Sequence, residues 1–319
     1  VAYVTERKHN PLTACICTHS LALADSHSHV RQMQLIAHTK YTFGNSVVVV
    51  GNTGSNSTNE AVHATKQGFA VGMVRIVVYC FILYMTEYFT ILMRYIISTN
   101  RSRYIHFQTL CLPQDCSLQI NPYYGKTSEK GICKHIMAGM EFGPAIIYNV
   151  PGRTAQDIEP QMMERLAVHP HFAGVKECAG LERIQLYTDQ GMAVWSGNDD
   201  DMHKARHQHG ARGSISVASN VVPGLYRELL FGERNDALND SLNPLFDWLF
   251  TEPNPIGVNT MLMQLGMAKP IFRLPYTHLD LEMRKSGVAI LNSIGLEHVP
   301  GGENLRVMED EEFVHLAEW

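Results

Sequence analysis

"IIYNVPGRT", residues 146–154, is the most informative stretch for the fold class, because an apolar run ends here on a phenol and a loop with a guanidinium follows directly. A short apolar run bounded by proline and glycine is typical of a strand buried on both faces, as in a parallel sheet. Tyr148 stands near the end of the run, and Arg153 lies in the loop beyond it. The stretch therefore predicts a buried strand that presents polar side chains at its carboxyl end.

Runs of the same kind recur on both sides of this stretch, with amphipathic segments between them. The six strand candidates are "VVVVG" (47–51), "SLQINPYY" (117–124), "AIIYNV" (145–150), "FAGVKE" (172–177), "MAVWSG" (192–197) and "GSISVAS" (213–219). Apolar residues at helical spacing mark the segments 160–169, 181–190 and 222–232. Strands that alternate with helices predict βα units and a parallel sheet.

A parallel sheet of this kind is either an open, doubly wound sheet or a closed (β/α)8 barrel. Tyr124, Tyr148, Lys176 and Gly197 stand at the carboxyl ends of successive strand candidates. Barrel enzymes concentrate their chemistry at that end of the strands. No glycine-rich nucleotide-binding motif follows any of these strands. We therefore predict an α/β fold of the (β/α)8 TIM-barrel class.

The composition limits the classes of protein that fit. The 319 residues are 45% hydrophobic and 18% charged, which is typical of a soluble globular protein. A formal net charge of -5 provides no basic field for a phosphate backbone, so no nucleic-acid partner is expected. The seven cysteines form no CxxC pair, which favours a reducing compartment. A start at Val1 without a secretion signal predicts a fragment or a processed form.

Three side chains on or just beyond adjacent strands suggest a chemistry. Burial at a strand end disfavours the charged form of Lys176 and leaves some neutral amine, which is a nucleophile for carbonyl groups. Tyr148 could transfer the protons that carbinolamine formation requires, and Arg153 offers a planar fork for a substrate carboxylate. The combination predicts an imine-forming lyase that acts on a small acidic carbonyl compound.

Each of these residues has a plainer interpretation when it is taken alone. Lys176 beside Glu177 is more often a solvated pair, and a lone tyrosine such as Tyr148 is more often a core aromatic. An arginine such as Arg153 is more often half of a weak surface ion pair. Only the combination on neighbouring strands favours catalysis.

Longer motifs cover roughly residues 33–73 and 115–298. They are "GNTGSNSTNEAVHATKQGFAVGM", "INPYYGKTS", "IIYNVPGRTAQDI", "AGVKECAG", "AVWSGNDD", "ISVASNVVPGLYREL" and "EPNPIGVNT". These motifs resemble the plant form of the dihydrodipicolinate synthase (4-hydroxy-tetrahydrodipicolinate synthase) family. N-acetylneuraminate lyases and keto-deoxy-sugar aldolases share the lysine and the tyrosine, whereas "GNTGSNST" and "WSGNDD" favour the plant lysine-pathway enzymes.

The resemblance implies a homotetrameric (β/α)8 barrel with a C-terminal helical extension, located in the chloroplast. It implies condensation of pyruvate with aspartate semialdehyde to 4-hydroxy-tetrahydrodipicolinate, in lysine biosynthesis through diaminopimelate. It implies no metal, no organic cofactor and no membrane or nucleic-acid partner. By motif, Lys176 would form the Schiff base with pyruvate, with Tyr148 and Tyr124 as proton-transfer residues. The substrate-binding positions would be Arg153, Thr154, Gly197 and Ile215, and inhibitory lysine would bind at Asn56, Glu60 and Tyr123.

The N-terminal segment departs from the family pattern. Residues 1–32 stand where the family carries a "GTTGE" loop, whose threonine completes a proton relay between two tyrosines. They do not resemble that loop, and they are too few for two complete βα units as well. We therefore expect the N-terminal barrel units to be incomplete. A catalytically inactive relative, or a faulty gene product, is the alternative function.

Residues 74–114 form an insertion rich in Ile, Tyr and Phe. The codons for Val74 and Arg75 can begin GTAAG, and a codon for Gln114 is CAG, which are the two ends of an intron. A translated intron is therefore one hypothesis, and sequencing the mature transcript tests it. A membrane helix is the rival, but the charge-free stretch 76–86 is about half of the roughly 20 residues needed to span.

The predicted organisation follows these boundaries. It comprises a divergent segment (1–32), a barrel domain (33–220) with the insertion, a C-terminal helical region (221–300) and an acidic tail (301–319). The tail's stretch "MEDEEF" (308–313) is expected to be a solvated face. In "DSHSH" (25–29), Asp25, His27 and His29 could place two imidazoles on one face of a strand, as in metal-dependent barrels. No further ligand set follows later strands, so no metal site is predicted.

Overall fold

A computed structural model of the chain describes residues 2–7, 10–18, 28–43, 48–73 and 115–317, with side chains from Gln32 onward. The barrel strands are β1 (Ala2–Arg7), β2 (Asn10–Thr18), β3 (Val50–Asn52), β4 (Cys116–Ile120), β5 (Ala145–Asn149), β6 (Phe172–Glu177), β7 (Val194–Ser196) and β8 (Gly213–Ile215). They are hydrogen-bonded in chain order as a closed barrel. The predicted barrel class is confirmed.

Helices alternate with strands from β2 onward. They are α1 (Ser28–Phe43), α2 (Thr58–Ala70), α3 (Glu129–Met140), α4 (Pro151–Thr154), α5 (Pro160–Ala167), α6 (Leu181–Asp189) and α7 (Met202–Gln208). After β8 come a 3-10 turn (Ala218–Asn220), α8 (Pro223–Phe231), α9 (Asp236–Leu249), α10 (Ile256–Gln264), β9 (Ile271–Arg273), α11 (Leu281–Ile294), 3-10 turns at Leu296–His298, Gly302–Asn304 and Asp310–Glu312, and β10 (Val314–Leu316). The predicted C-terminal helical extension is therefore present.

The expectation of six strands was wrong, because the first eighteen residues supply two more. Both strands mix polar with apolar residues, so their periodicity is too weak to distinguish them from a loop. Only residues 8 and 9 separate β1 from β2, which leaves no room for a helix. In addition, β1 pairs antiparallel with β8, whereas β2 to β6 pair in parallel. The expected incompleteness of the N-terminal βα units is confirmed.

The chain divides into two compact units. The N-terminal unit comprises Ile16–Thr18 and Ala24–Trp195, and the C-terminal unit comprises Val1–Cys15, His19–Leu23 and Ser196–Trp319. In the N-terminal unit, β3 and β4 are wholly buried, and β5 and β6 continue the parallel sheet. The division of the chain at residue 220 into barrel and helical regions stays a prediction.

In the C-terminal unit, helices α8 to α11 bury their apolar faces against one another. Tyr226 packs edge-on against Phe246 with ring centroids 6.2 Å apart, and Trp248 and Leu291 belong to the same core. The indole Nε1 of Trp248 donates a hydrogen bond to the carbonyl oxygen of Met283, 2.8 Å away. Burial of an indole with its one donor satisfied stabilises the helical extension.

The acidic tail is only partly the solvated face that the sequence predicts. Glu309 and Glu311 are exposed, and Arg306 pairs with Glu312 at 2.7 Å. Met308 and Phe313, however, are buried beside Phe272. Burial of apolar side chains at this spacing holds the tail against β9, whose register with β10 runs from Ile271 to Arg273.

Several sequence hypotheses concern residues that the structure does not describe. The insertion at 74–114, Asp25 and His27 lie outside the described ranges. His29 lies in helix α1 rather than on a strand. Within the described ranges, no helix is long and apolar enough to cross a bilayer, and no group of three or more potential ligands could hold a metal ion.

Candidate active site

A β-bulge in β6 sets the register of the two strands that carry Lys176 and Tyr148. Ala145 pairs with Phe172 but Ile146 pairs with Gly174, so Ala173 is an extra residue in β6. Because side chains alternate along a strand, one extra residue changes the face to which every later residue points. The bulge therefore brings Tyr148 opposite Lys176 instead of opposite Val175.

Gly174 is the residue that permits this bulge. Its φ of +145° lies in a region that L side chains rarely adopt. A Cβ atom at this position would also collide with the carbonyl oxygen of Ala193 and the ring of Trp195. The Val175 backbone N–H donates to that same Ala193 oxygen, 2.9 Å away. The close approach of β6 to the segment before β7 thus requires glycine.

The paired residues Tyr148 and Lys176 bring an amine and a phenol ring together. The Lys176 side chain is 9% exposed, and its Nζ lies 4.0 Å from the centroid of the Tyr148 ring. Residues directly opposite each other on adjacent strands point to the same face of the sheet. A lysine side chain at this distance is attracted by the face of the ring. The two strands therefore present a buried amine beside a phenol.

The residues that follow these two on their strands form a hydrogen-bonded network on the opposite face, which we call the Asn149 clasp. Asn149 Nδ2 donates to Asp157 Oδ1 at 2.7 Å and to Glu177 Oε1 at 3.0 Å. The Asn149 Oδ1 atom accepts the backbone N–H of Ile158 at 3.0 Å. Arg183 closes the clasp with hydrogen bonds of 3.3 and 2.8 Å to the two oxygens of Asp157. The Asn149 amide, at the end of β5, thus connects to Glu177 at the end of β6. It also connects to Asp157 and Ile158 in the segment after α4.

Glu177 also fixes the turn that follows β6. Its Oε1 accepts the backbone N–H groups of Cys178 at 2.9 Å and Ala179 at 2.7 Å. Burial raises the pKa of Glu177 to about 7, against the lowering effects of the Ala179 N–H, the Asn149 amide and the Arg183 charge. The nearby Asp157 charge raises it further. A carboxyl group that titrates near neutrality therefore lies directly after Lys176 in the chain.

Arg153 and Thr154 lie in the short helix α4 just past β5. The Val150 carbonyl oxygen accepts the backbone N–H groups of Arg153 at 2.9 Å and Thr154 at 3.1 Å. Ala155, with a left-handed φ of 50°, ends the helix. The Arg153 side chain is exposed, whereas Thr154 is fully buried and donates its hydroxyl to the Gln156 carbonyl oxygen at 2.7 Å. The guanidinium is thus presented at the surface while the threonine holds the turn.

Gln156 connects this turn to the loop that follows β4. Its Nε2 donates to the Thr127 carbonyl oxygen at 2.9 Å, and its Oε1 accepts the Thr127 N–H at 3.2 Å. Asn121 Nδ2 donates to the Gln156 carbonyl oxygen at 3.2 Å. These bonds hold the Arg153 turn and the Tyr124 loop in a fixed relation.

The loop after β4 contains the two predicted tyrosines, beyond the strand rather than at its end. Tyr124 is 89% exposed, and Tyr123 is half-buried. The backbone N–H groups of Tyr124 and Gly125 donate to Asn56 Oδ1 at 2.8 and 2.9 Å. Asn56 therefore lies against the tyrosine loop. The nearby Glu60 accepts the hydroxyl of Ser55 at 2.6 Å.

The C-terminal unit carries the two remaining predicted residues. Gly197 follows β7 directly, and Ile215 ends β8 with 2% exposure. Ser196 Oγ donates to Asp201 Oδ1 at 2.6 Å, next to Gly197. Asp199 accepts the backbone N–H of Val217 at 3.0 Å, just beyond Ile215. Within this unit, polar side chains fix the backbone around both positions.

The clasp residues were missed by the sequence reasoning, although a signal for them exists. Asn149 and Glu177 directly follow Tyr148 and Lys176, and alternation along two adjacent strands places such followers together on the other face. The residue types alone indicate only that Lys176 and Glu177 form a solvated pair. The return of Asp157 to the strand end depends on the turn at 150–155, which no motif predicts.

Comparisons with known proteins show a match over most of the chain. The model of the dihydrodipicolinate synthetase family matches residues 24–84 and 112–294. The unmatched residues 85–111 fall inside the predicted insertion.

Two curated plant proteins and one solved structure illustrate the similarity. The chloroplastic 4-hydroxy-tetrahydrodipicolinate synthase 1 proteins of Arabidopsis thaliana and Triticum aestivum are each 47% identical over 287 residues, which is 90% of this chain. The alignments cover 67% and 63% of those relatives, so the chain spans about two thirds of their length. The chain also superposes, with a TM-score of 0.70 and 27% identity, on a dihydrodipicolinate synthase from Acinetobacter baumannii complexed with pyruvate. That match covers 87% of this chain and 85% of the other.

Proposed function

Because the chain belongs to the dihydrodipicolinate synthetase family, we propose that it condenses pyruvate with aspartate semialdehyde through a Schiff base on Lys176. The product would be 4-hydroxy-tetrahydrodipicolinate, an intermediate on the diaminopimelate route to lysine. The main structural support for this proposal is the buried Lys176 amine, whose Nζ lies 4.0 Å from the centroid of the Tyr148 ring on the neighbouring strand. The retained lysine, tyrosine and arginine favour this activity over an inactive relative.

The first half of the reaction activates pyruvate. The neutral amine of Lys176 adds to the C2 carbonyl carbon and gives a carbinolamine, which loses water to form an imine. The phenol of Tyr148 donates the proton with which the hydroxyl group departs as water. Loss of a proton from the methyl carbon then converts the imine into a nucleophilic enamine.

The second half joins the substrates. The enamine carbon attacks the aldehyde carbon of aspartate semialdehyde, and the new alkoxide takes up a proton. The semialdehyde's amino group then attacks the imine carbon, closes the ring and releases the Lys176 amine. Arg153 would bind the carboxylate of the semialdehyde through its planar guanidinium, which the exposed turn at 151–154 presents.

The other predicted residues remain proposals that the resemblance supports. Tyr124 would extend the proton relay into a neighbouring subunit of a tetramer, which fits its 89% exposure. Thr154 would support Arg153 by holding its turn. Gly197 and Ile215 would bind pyruvate through backbone groups. The family's relay threonine has no counterpart by motif, and residues 19–27 after β2 lie outside the described part of the chain.

Regulation by lysine and a chloroplast location are also proposals that the family resemblance supports. Asn56, Glu60 and Tyr123 would form the lysine site, and the Asn56 hydrogen bonds to the tyrosine loop place two of these residues on adjoining segments. Titration calorimetry with lysine tests this proposal, and absence of binding to folded protein would contradict it. The curated relatives described above are chloroplastic proteins, which supports the proposed location.

Borohydride trapping tests the central step. The chain is incubated with pyruvate, reduced with borohydride, digested and analysed by mass spectrometry. We expect a reduced pyruvyl adduct on the peptide that contains Lys176, and none in K176M. The exposed Lys130 on α3 provides the matched control, since K130M should trap as the unmodified sequence does. Folded protein that forms no adduct would overturn the proposed function.

A further inference from the structure

We propose that Glu177, acting through Asn149, is the positioning residue for the Lys176 amine and the Tyr148 phenol. This inference rests on the proposed function, because it concerns how the Schiff-base lysine is aimed. Glu177 and Asn149 pair across β5 and β6, one residue beyond the pair formed by Lys176 and Tyr148. Asn149 is therefore bonded covalently to Tyr148, and Glu177 to Lys176.

The clasp restrains the backbone on both strands at once. Cys178 donates its N–H to the Asn149 carbonyl oxygen at 3.0 Å as well as to Glu177 Oε1 at 2.9 Å. The amide of Asn149 has both kinds of hydrogen-bonding atom engaged, by Asp157 and Glu177 on one side and Ile158 on the other. Fixed backbone angles at residues 149 and 177 fix the directions in which Tyr148 and Lys176 leave their strands. A productive geometry of this kind tolerates errors of only about 0.5 Å.

Desolvation alone disfavours an ionisable carboxyl group at this position. Glu177 is fully buried, and burial of an ionisable group is unfavourable compared with an apolar residue of similar size. The turn after β6 needs an acceptor for two backbone N–H groups, and the Asn149 amide needs a second acceptor besides Asp157. A single Glu177 oxygen meets both needs and thereby connects the end of β6 to the end of β5.

The test compares two substitutions at one position. E177A removes the shared acceptor, whereas E177Q keeps an oxygen that accepts the same backbone N–H groups. The full chain is mixed with saturating pyruvate and quenched with borohydride over a time course, and the rate of adduct formation at Lys176 is measured. We expect E177A to slow the rate at least tenfold and E177Q to remain within about threefold of the unmodified sequence. The KM for pyruvate should change less than the trapping rate.

Asp115 provides a matched control for the loss of a buried carboxylate. It accepts the Val49 N–H at 2.7 Å and pairs with Lys40 at 2.7 Å, at the amino end of β4 and therefore away from the strand ends that carry the amine. D115A should lower stability but leave the trapping rate of the folded protein unchanged. If E177A does not fold, N149S removes the same connection from the other strand and should slow trapping in the same way.

The outcomes distinguish the proposed condensation activity from the positioning role of Glu177. No adduct in the unmodified protein would overturn the proposed function itself. Normal trapping in the unmodified protein and in folded E177A or N149S would overturn only the positioning role. Equal slowing in E177A and E177Q, or in E177A and D115A, would also overturn it, because neither result depends on the shared acceptor oxygen.

Discussion

Glu177 and Asp199 are both buried carboxylates near the carboxyl ends of barrel strands, but their surroundings differ in kind. Asp199 accepts from the backbone N–H groups of Val217 and Ala218 at 3.0 and 2.9 Å and from the Tyr226 hydroxyl at 2.8 Å. Glu177 also accepts two backbone N–H groups, but its side-chain partner Asn149 is shared with the charged pair of Asp157 and Arg183. One carboxylate is held by neutral donors, and the other belongs to a network of charges.

The different surroundings give the two carboxylates different roles. Burial raises the pKa of both groups, and hydrogen bonds oppose that rise in both. Around Asp199 the opposing groups include the Ser216 hydroxyl, the Ala218 N–H and the Tyr226 hydroxyl, none of which carries charge. Asp199 therefore serves as a local acceptor that holds the turn after β8. The charges of Arg183 and Asp157 act on Glu177, and its raised pKa gives its strand end a dependence on pH.

The largest effect is expected from removing the carboxylate of Asp199, which is held by neutral donors. D199A leaves two buried backbone N–H groups and the Tyr226 hydroxyl without this acceptor. Each buried donor left unsatisfied costs about 1–3 kcal/mol, so with three donors affected the unfolding free energy should fall by at least about 3 kcal/mol. Urea denaturation measures this loss. Y226F removes one of the donors and is expected to cost about 1 kcal/mol; an equal loss in both variants would contradict the account.

The second prediction concerns the pH dependence of stability. The folded pKa of Glu177 is about 7 and the unfolded value is 4.5, so between these values folded protein holds a proton that the unfolded chain has released. The unfolding free energy therefore falls as pH rises through this interval, by up to about 3 kcal/mol. E177Q has no such titration and should gain stability relative to the unmodified sequence between pH 4.5 and 7.5.

Thermal denaturation at a series of pH values measures this difference. The exposed Glu182 on α6 provides the control, because E182Q should change stability by less than about 0.5 kcal/mol at every pH. Parallel profiles for the unmodified sequence and E177Q would show that the Glu177 carboxyl group does not titrate in this interval.

The smallest effect is expected at Arg183. R183K keeps the charge but loses the paired hydrogen bonds to Asp157, and should cost about 1 kcal/mol because the pair is partly exposed. R183M also removes the charge that lowers the pKa of Glu177. The pH interval over which stability falls should therefore extend upward in R183M and not in R183K. Identical pH profiles in the two variants would mean that Arg183 acts on the clasp only through geometry.

The sequence predicts the barrel strands from β3 onward and the helices α5, α6 and α8, because the apolar runs are short and regular and amphipathic segments separate them. "FAGVKE" agrees with β6 at both ends, and "AIIYNV" differs from β5 by one residue. By contrast, β1 and β2 carry little periodicity, and their place depends on pairing with distant strands. Such long-range pairing overrides what a local pattern can indicate.

For the site, the sequence indicates that Lys176 and Tyr148 lie near one another but does not show how. Their alignment depends on the extra residue Ala173, and that bulge depends on the approach of Gly174 to Ala193. The clasp depends on the turn that returns Asp157 to Asn149. Each of these contacts joins separate segments, and no run of adjacent residues encodes it.

The antiparallel ladder between β1 and β8 also sets an order of events during synthesis. Tyr3 pairs with Ile215, so about 200 residues must be made after the first strand before its partner exists. At about 5–20 residues per second, that interval lasts roughly 10–40 s. A strand without its neighbour exposes unpaired backbone groups that can join another chain. During synthesis, the edge of β1 that pairs with β8 therefore waits longer for its partner than the edges joined in the ladders from β2 to β6.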